Sequence, residues 1–337
     1  MTPLAPHMTY FLREHLPRER RSSSQTCETY AYGYQLLIRF AAERLRTPPS
    51  ELMLEQIDAP LVLAFLEHLE SERGNCPRTR NNRLAAIKAF FRYLEYRLPA
   101  CLEQARCIRA ISPKKTDATL LDYLTRHELQ VLLDAPSTAT VLGLRDRAML
   151  FLTFAAALRV SELVSLRVDQ IAFGPQPSVH VMGKGRCERV LPLWKETTTA
   201  LRDWLSVRAA SRYPECFLSA RGVPMTRSGF EYVLAKHVKA ATPVVPSITK
   251  KRISPHVLRR SCAMHMLQAT RDVRKVALWL GHASLQSTEI YLRADPAEKL
   301  EALGALAPPS LQRGQFRAPD KLLAMLHNET KATCYAE

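Results

Sequence analysis

At 337 residues, 47% of them hydrophobic, the chain carries enough apolar material for two buried cores, which excludes a wholly disordered polypeptide. Its formal net charge of +16, from 48 Lys and Arg against 32 Asp and Glu, favours a polyanionic partner. Each phosphate neutralised by a cation releases condensed counterions, so nucleic acid comes first and an anionic membrane surface second.

Only 11 glycines interrupt the recurring Leu- and Ala-rich stretches, a composition that predicts a mostly helical fold. The longest apolar run, Ala148 to Leu158, falls far short of the roughly 20 residues a membrane span requires and reads as a core helix. The N-terminal MTPLAPHMTYFLREHL lacks the charged-then-apolar layout of a secretory signal. The 8 cysteines include no C-x-x-C pair, so no metal site is expected, and they read as reduced core thiols in a cytoplasmic protein.

Residues 1–25, with the basic RERRSSSQ stretch, read as a flexible lead-in. A helical domain of short helices is expected over 26–98. Its last helix, Thr79 to Arg97, places Leu84, Ile87, Phe91 and Leu94 on one face at three- and four-residue steps. Arg80, Asn81, Arg83 and Lys88 fall largely elsewhere and could serve either as DNA-backbone contacts or as an ordinary solvated face. Residues 99–122 mix Pro99, Pro113, Lys114 and Lys115 without a sustained period and read as a linker.

A second, larger domain is expected over 123–310. It opens on Thr125-Arg126-His127-Glu128, which matches a capping box at a helix N-terminus. Most of the positive surplus lies beyond Asp122. Within this domain β-branched runs flank Gly183-Lys184-Gly185-Arg186, predicting a small antiparallel hairpin with Lys184 at its tip. Residues 311–337 form a C-terminal tail, with a hint of a short helix over Pro319 to His327.

Several residues could carry chemistry. Arg159 follows the apolar run, and Glu162, three residues on, can orient it; a plain ion pair would look the same. His256 and Arg259 stand at i and i+3, which puts both side chains on one helix face, where they could bind a phosphate and manage a proton. Standing alone, the segment reads first as a partly buried structural histidine beside a surface arginine. Gly281-His282 precedes Tyr291 by nine residues, and a lone tyrosine on an amphipathic helix is as a rule a packing residue.

In this order and spacing the segments resemble the tyrosine recombinase (phage integrase) family. That family carries an R-x-x-E-L box (here Arg159, Glu162, Leu163), a hairpin lysine (Lys184), an H-x-x-R box (His256, Arg259), a G-H pair (Gly281, His282) and a C-terminal tyrosine (Tyr291). The Thr79 helix also looks like the last helix of the family's N-terminal core-binding domain. Two departures stand out: Ala157 where the family often has Gly, and Arg260 where it often has His.

The resemblance implies an N-terminal helical core-binding domain and a mainly helical catalytic domain closing as a clamp on double-stranded DNA, with no cofactor. Arg159, Arg259 and His282 would stabilise charge on the phosphate. Tyr291 would attack with His256 accepting its proton, and Lys184 would protonate the leaving 5′ oxygen. The product would be a 3′-phosphotyrosyl intermediate. A homo-tetramer, or a hetero-tetramer with a related recombinase, is implied on DNA, and Asp295 to Leu306 is a candidate helix for packing on a neighbour or on its own domain. A mobile-element integrase is favoured over a Xer-type chromosome-dimer resolvase. The alternatives are a type IB topoisomerase activity, a catalytically silent DNA-binding regulator and a helix-turn-helix regulator.

Overall fold

The computed structural model describes residues 1–117, 122–183, 188–282 and 284–294, and the chain divides into two units with the break near residue 119. Both are mostly helical. Among the described residues no helix is long and apolar enough to cross a membrane.

The first unit does not begin with a flexible lead-in. Leu4–Tyr10 (α1) continues into a wider helical stretch, Phe11–Glu19, and Leu4, Met8, Phe11 and Leu16 are buried in the unit's core. Backbone hydrogen bonds from Leu4 to Leu52 and from Leu54 to Thr2 pin the terminus down. The apolar residues of this segment, rather than its basic end, decide its fate, because each buried Leu, Met or Phe contributes about 1.5–3 kcal/mol.

Three long helices follow, where short ones were expected: Ser24–Leu45 (α2), Ala59–Ser71 (α3) and Pro77–Arg97 (α4). Ser23 and Asp58 cap α2 and α3 by accepting hydrogen bonds from Thr26 and Leu61 amides. On α4 the predicted stripe of Leu84, Ile87, Phe91 and Leu94 is buried, and Ala86, Phe90 and Tyr93 are buried with it. The helix is therefore covered on more than one side; Tyr34 of α2 donates its hydroxyl to the Ala86 carbonyl at 2.6 Å.

The expected linker is partly helix. Leu102–Ala110 (α5) packs Cys101, Ala105 and Ile108 into the same core, a spacing of four and three residues that the flanking prolines disguise. Gln104 secures it by donating to the Leu54 and Ile57 carbonyls at 2.7 and 2.9 Å. Residues 111–117 carry no helix or strand.

The second unit opens with Arg126–Asp134 (α6), and the capping box is formed. The Thr125 hydroxyl accepts from the Glu128 amide, and the Glu128 carboxylate accepts from the Thr125 amide at 2.8 Å. Lys251 and Ser247 also donate to Glu128, tying the domain's entry to its later half. Val141–Ala155 (α7) is the central helix, with every residue from Ala148 to Ala155 buried. It packs against Lys195–Val207 (α9) and Pro255–Thr270 (α11).

Between α7 and α9 lie the short helix Val160–Val164 (α8) and the strands Ile171–Ala172 (β1), Ser178–Met182 (β2) and Glu188–Pro192 (β3). The strands form an antiparallel sheet in the order β1-β2-β3, and Val181 stands opposite Arg189 while Val179 stands opposite Leu191. Val179, Val181 and Leu191 face the core, and the period-2 rule puts Arg189 on that same inward face. Arg227–Ala241 (α10), Val273–Leu280 (α12) and Glu289–Ala294 (α13) complete the described residues. The expected helices over Asp295 to Leu306 and Pro319 to His327 lie outside the described residues.

Candidate active site

The loop after α7 sets the first site residue. The chain leaves the helix through Ala157, whose φ of 47° is left-handed, and Leu158 donates back to the Thr153 carbonyl. This turn makes Arg159 the N-cap of α8 rather than a residue inside a helix. Glu162 serves it twice, accepting from the Arg159 amide at 2.9 Å and from its guanidinium at 2.7 Å. The expected Arg159–Glu162 pair thus combines an ion pair with a cap, and it fixes where the guanidinium points.

Glu162 has a second partner that sequence reasoning missed. Arg189 of β3 donates to both carboxylate oxygens, at 3.3 and 2.7 Å. The side chains of Glu162 and Arg189 are 4% and 9% exposed, so this is a buried ion pair to which the half-buried Arg159 adds a second guanidinium. Burial alone would raise the Glu162 carboxyl; the hydrogen bonds from Arg189, from the Arg159 amide and from the Arg159 side chain overcome it and hold the group below its ordinary range.

Arg189 also lies against Gly281, the residue that ends α12. A Cβ on Gly281 would meet the Arg189 side chain at 3.2 Å, and Gly281 has φ +61°. Both conditions favour glycine at this turn. The turn delivers His282, whose amide donates to the Ala277 carbonyl and whose Nδ1 lies 2.8 Å from the buried Thr288 hydroxyl. Where the hydroxyl donates to Nδ1, the proton sits on Nε2, which is the tautomer able to donate to a ligand. Burial first, then Arg259 and Arg159, push the His282 imidazole down to about 4, so it is neutral at physiological pH.

Helix α11 contributes the H-x-x-R pair. His256 is exposed and Arg259 is buried. The Arg259 guanidinium donates to the Ala157 carbonyl and, at 2.6 Å, to the Leu280 carbonyl, so backbone from two distant turns orients it. Burial and the neighbouring Arg159 lower it to about 10, and it stays charged at neutral pH. His256 is shifted down by burial, then by Arg260 and Arg259, which leaves its imidazole free to accept a proton.

Tyr291 stands on α13, whose entry is set by its amide donating to the Thr288 carbonyl at 3.0 Å. It is buried at 6% exposure, and burial pushes its phenol above the ordinary range while Arg259 and Arg260 pull the other way. Arg159, His256, Arg259, His282 and Tyr291 line one open cleft together with Arg260, Ser287 and Ile290. Five of the six expected catalytic side chains therefore meet in one place. Lys184 lies outside the described residues, between the ends of β2 and β3.

The four α4 candidates in the first unit are less free than a solvated basic face would be. Arg80 departs most from expectation: it is buried, pairs with Glu70 at 3.8 Å and donates to Asn81 and to the Ser112 carbonyl. Asn81 makes a two-way bond with the Lys114 backbone, at 2.8 and 3.0 Å. Arg83 donates to the Thr29 carbonyl and stacks over Tyr32. Lys88 is half-buried with no ion pair among the described residues, and burial, Arg109 and Arg80 lower its ammonium.

Comparison with known proteins agrees with this geometry. Residues 122–298 match the phage integrase family, and residues 11–97 match the phage integrase N-terminal SAM-like domain. The chain is 42% identical over 325 residues to y4rC of Sinorhizobium fredii, described as an integrase/recombinase, covering 96% of this chain and 98% of the relative. It is 34% identical over 299 residues to the tyrosine recombinase XerC of Myxococcus xanthus, covering 86% and 94%.

Among solved structures, XerH in a post-cleavage complex with its palindromic difH substrate matches with a TM-score of 0.65 at 20% identity, covering 87% of this chain and 83% of that one. A lambda integrase dimer bound to a core site matches at 0.63 and 15%, covering 94% and 100%. At those identities the structures show a common fold. The full-length relatives and the family match go further: the chain belongs to the phage integrase family of tyrosine recombinases, enzymes that cut and rejoin DNA.

Proposed function

We propose that the chain is a site-specific recombinase acting on double-stranded DNA through Tyr291, encoded by a mobile element. The observation that carries this reading is the single cleft on which Arg159, His256, Arg259, His282 and Tyr291 converge, with both arginines held by protein acceptors before any ligand arrives. Preorganised donors of this kind stabilise charge without reorganising during the reaction.

In the proposed step the Tyr291 phenolic oxygen attacks the scissile phosphorus and its proton passes to neutral His256. Arg159, Arg259 and the Nε2–H of His282 stabilise the negative charge that builds on the non-bridging oxygens. The bond to the 5′ oxygen breaks, and that oxygen takes a proton, a role assigned to Lys184. The 3′-phosphotyrosyl link keeps the bond energy, so a 5′-hydroxyl from another strand restores DNA by the reverse sequence. Glu162 orients Arg159 and touches no reacting atom.

Double-stranded DNA as partner is supported by the bound DNA of the XerH and lambda integrase structures and by the basic charge. Of the α4 residues, Asn81, Arg83 and Lys88 are retained as DNA contacts, while Arg80 holds the unit together. The integrase assignment is favoured over chromosome-dimer resolution because the 42% relative is described as an integrase/recombinase, against 34% for XerC. Assembly as a tetramer on DNA, in the cytoplasm, completes the proposal.

The test is a covalent-adduct assay. Wild-type protein and Tyr291→Phe are incubated, without metal, with nicked duplexes drawn from DNA flanking the gene. A protease-sensitive adduct on a denaturing gel with wild type alone is the expected result. Tight DNA binding with no adduct from wild type would replace the proposal with a catalytically silent DNA-binding regulator.

A further inference from the structure

The cleft holds more positive charge than one phosphate requires. Arg159, Arg259 and Arg260 line it, Arg189 lies beneath it, and Glu162 is the one carboxylate bonded to this group among the described residues. Four guanidiniums against one carboxylate leave three net positive charges, whereas a phosphodiester under attack carries two negative charges at most.

The arginines also differ in how they are held. Arg159 is fixed by Glu162, and Arg259 by the Ala157 and Leu280 carbonyls. Arg260 is half-buried and makes no hydrogen bond or ion pair among the described residues. It follows His256 by four residues on α11, so the two side chains share one face and sit about 6 Å apart along the helix axis. That separation is of the order of the step from one phosphate to the next along a DNA strand. A guanidinium, unlike the imidazole common at this position in the family, is charged at every working pH and grips two phosphate oxygens at once.

We propose that Arg260 binds the phosphate adjacent to the scissile one on the cleaved strand, so that the cleft engages two successive phosphates. This rests on the cleavage reading given above. Arg260 is then a substrate-binding residue that sets the register of the strand over Tyr291, and the neighbouring phosphate supplies the negative charge that the scissile group lacks. The effect of Arg260 on His256 and Tyr291 follows from the same placement and would be largely cancelled once that phosphate is bound.

The experiment uses the full chain and nicked duplexes in which one phosphate at a time, at the scissile position or on either side of it, is replaced by an uncharged methylphosphonate. Adduct formation is timed for wild type, Arg260→Gln and Arg260→Lys. One of the two neighbouring replacements is expected to slow wild type by about tenfold to a hundredfold, the range of a lost charged hydrogen bond. Arg260→Gln should be slowed to a similar degree on unmodified DNA and show no further loss on that modified duplex, and Arg260→Lys should recover part of the rate.

If the losses from the variant and from each neighbouring methylphosphonate multiply independently, Arg260 touches neither phosphate and the assignment is overturned. If Arg260→Gln is instead insensitive only to replacement at the scissile position, the residue serves the transition state and the two-phosphate reading is equally overturned. Failure of wild type to form any adduct on unmodified DNA marks the failure of the cleavage reading itself and removes the basis for this one.

Discussion

The guanidinium of Arg259 donates to the carbonyl of Ala157, and Ala157 adopts a left-handed backbone, φ 47°, to present it. A non-glycine residue there costs on the order of 1–2 kcal/mol, yet the Ala157 methyl is fully buried and regains part of that by packing. Ala157→Gly is therefore expected to lie within about 1 kcal/mol of wild type. Ala157→Val, which adds bulk and a branched Cβ at the same φ, should lose more than about 2 kcal/mol. Urea unfolding of both variants checks this, and Ala157→Val should also lose adduct formation, because the acceptor that orients Arg259 moves.

Glu162 stands between two guanidiniums, so removing its charge leaves Arg189 buried and unpaired. Glu162→Gln is expected to cost about 3–5 kcal/mol, the usual result of breaking a buried pair. Arg189→Met should cost less, because Glu162 retains Arg159. The double variant should be more stable than the sum of the two losses predicts, with a coupling of about 0.5–3 kcal/mol in denaturant melts. Additive losses would show that the pair contributes nothing as a pair.

Acid should weaken the second unit in two stages. His282 has an imidazole at about 4 in the fold against 6.5 in an open chain, so the unfolded chain binds the extra proton. The stability this gives is complete above pH 6.5 and is lost as pH falls towards about 4. Glu128, held at about 2 against an ordinary 4.5, keeps its contribution above pH 4.5 and loses it between there and about 2. Burial works against ionised Glu128, and hydrogen bonds from Lys251 and Ser247 prevail. Thermal melts from pH 8 to 3 should fall in both windows; His282→Asn should flatten the upper one and Glu128→Gln the lower.

Thr288 holds the His282 ring from behind. Thr288→Val keeps the shape and removes the hydroxyl, leaving Nδ1 without its partner. The tautomer with a proton on Nε2 is then no longer favoured, and adduct formation is expected to fall about tenfold while DNA binding is retained. Gel shift and single-turnover cleavage on the same duplex separate the two effects. Equal loss in both would make Thr288 a folding residue and nothing more.

The candidate site was legible in the sequence where a residue stands in a short motif. Arg159, His256, Arg259, His282 and Tyr291 each stand in a short motif, and the structure brings all five to one cleft. Residues that act through distant partners were not. Arg189 meets Glu162 across 27 positions, and the one local clue, its alternation with Leu191, is blurred by exposed Val190 between them. Thr288 has no motif at all. In the first unit, charge and proline masked hydrophobic spacing: the arginines near residue 20 hid Leu4, Met8, Phe11 and Leu16, and Pro99 hid the Cys101, Ala105, Ile108 stripe. Arg80 is polar in type but buried in fact, which depends on Glu70 being nearby and could not be read from α4 alone.

The seating of the Arg189 side chain against Gly281 bears on how such proteins diverge. Three stretches of chain that are far apart in sequence, carrying Glu162, Arg189 and Gly281, share one small volume. A lineage that gains a side chain at position 281 crowds the one at 189, and a lineage that gives up Glu162 strands a buried cation there. These positions are expected to change together more often than independently, so an alignment of descendants would show them as a covarying trio even though only Glu162 and Gly281 stand in recognisable motifs.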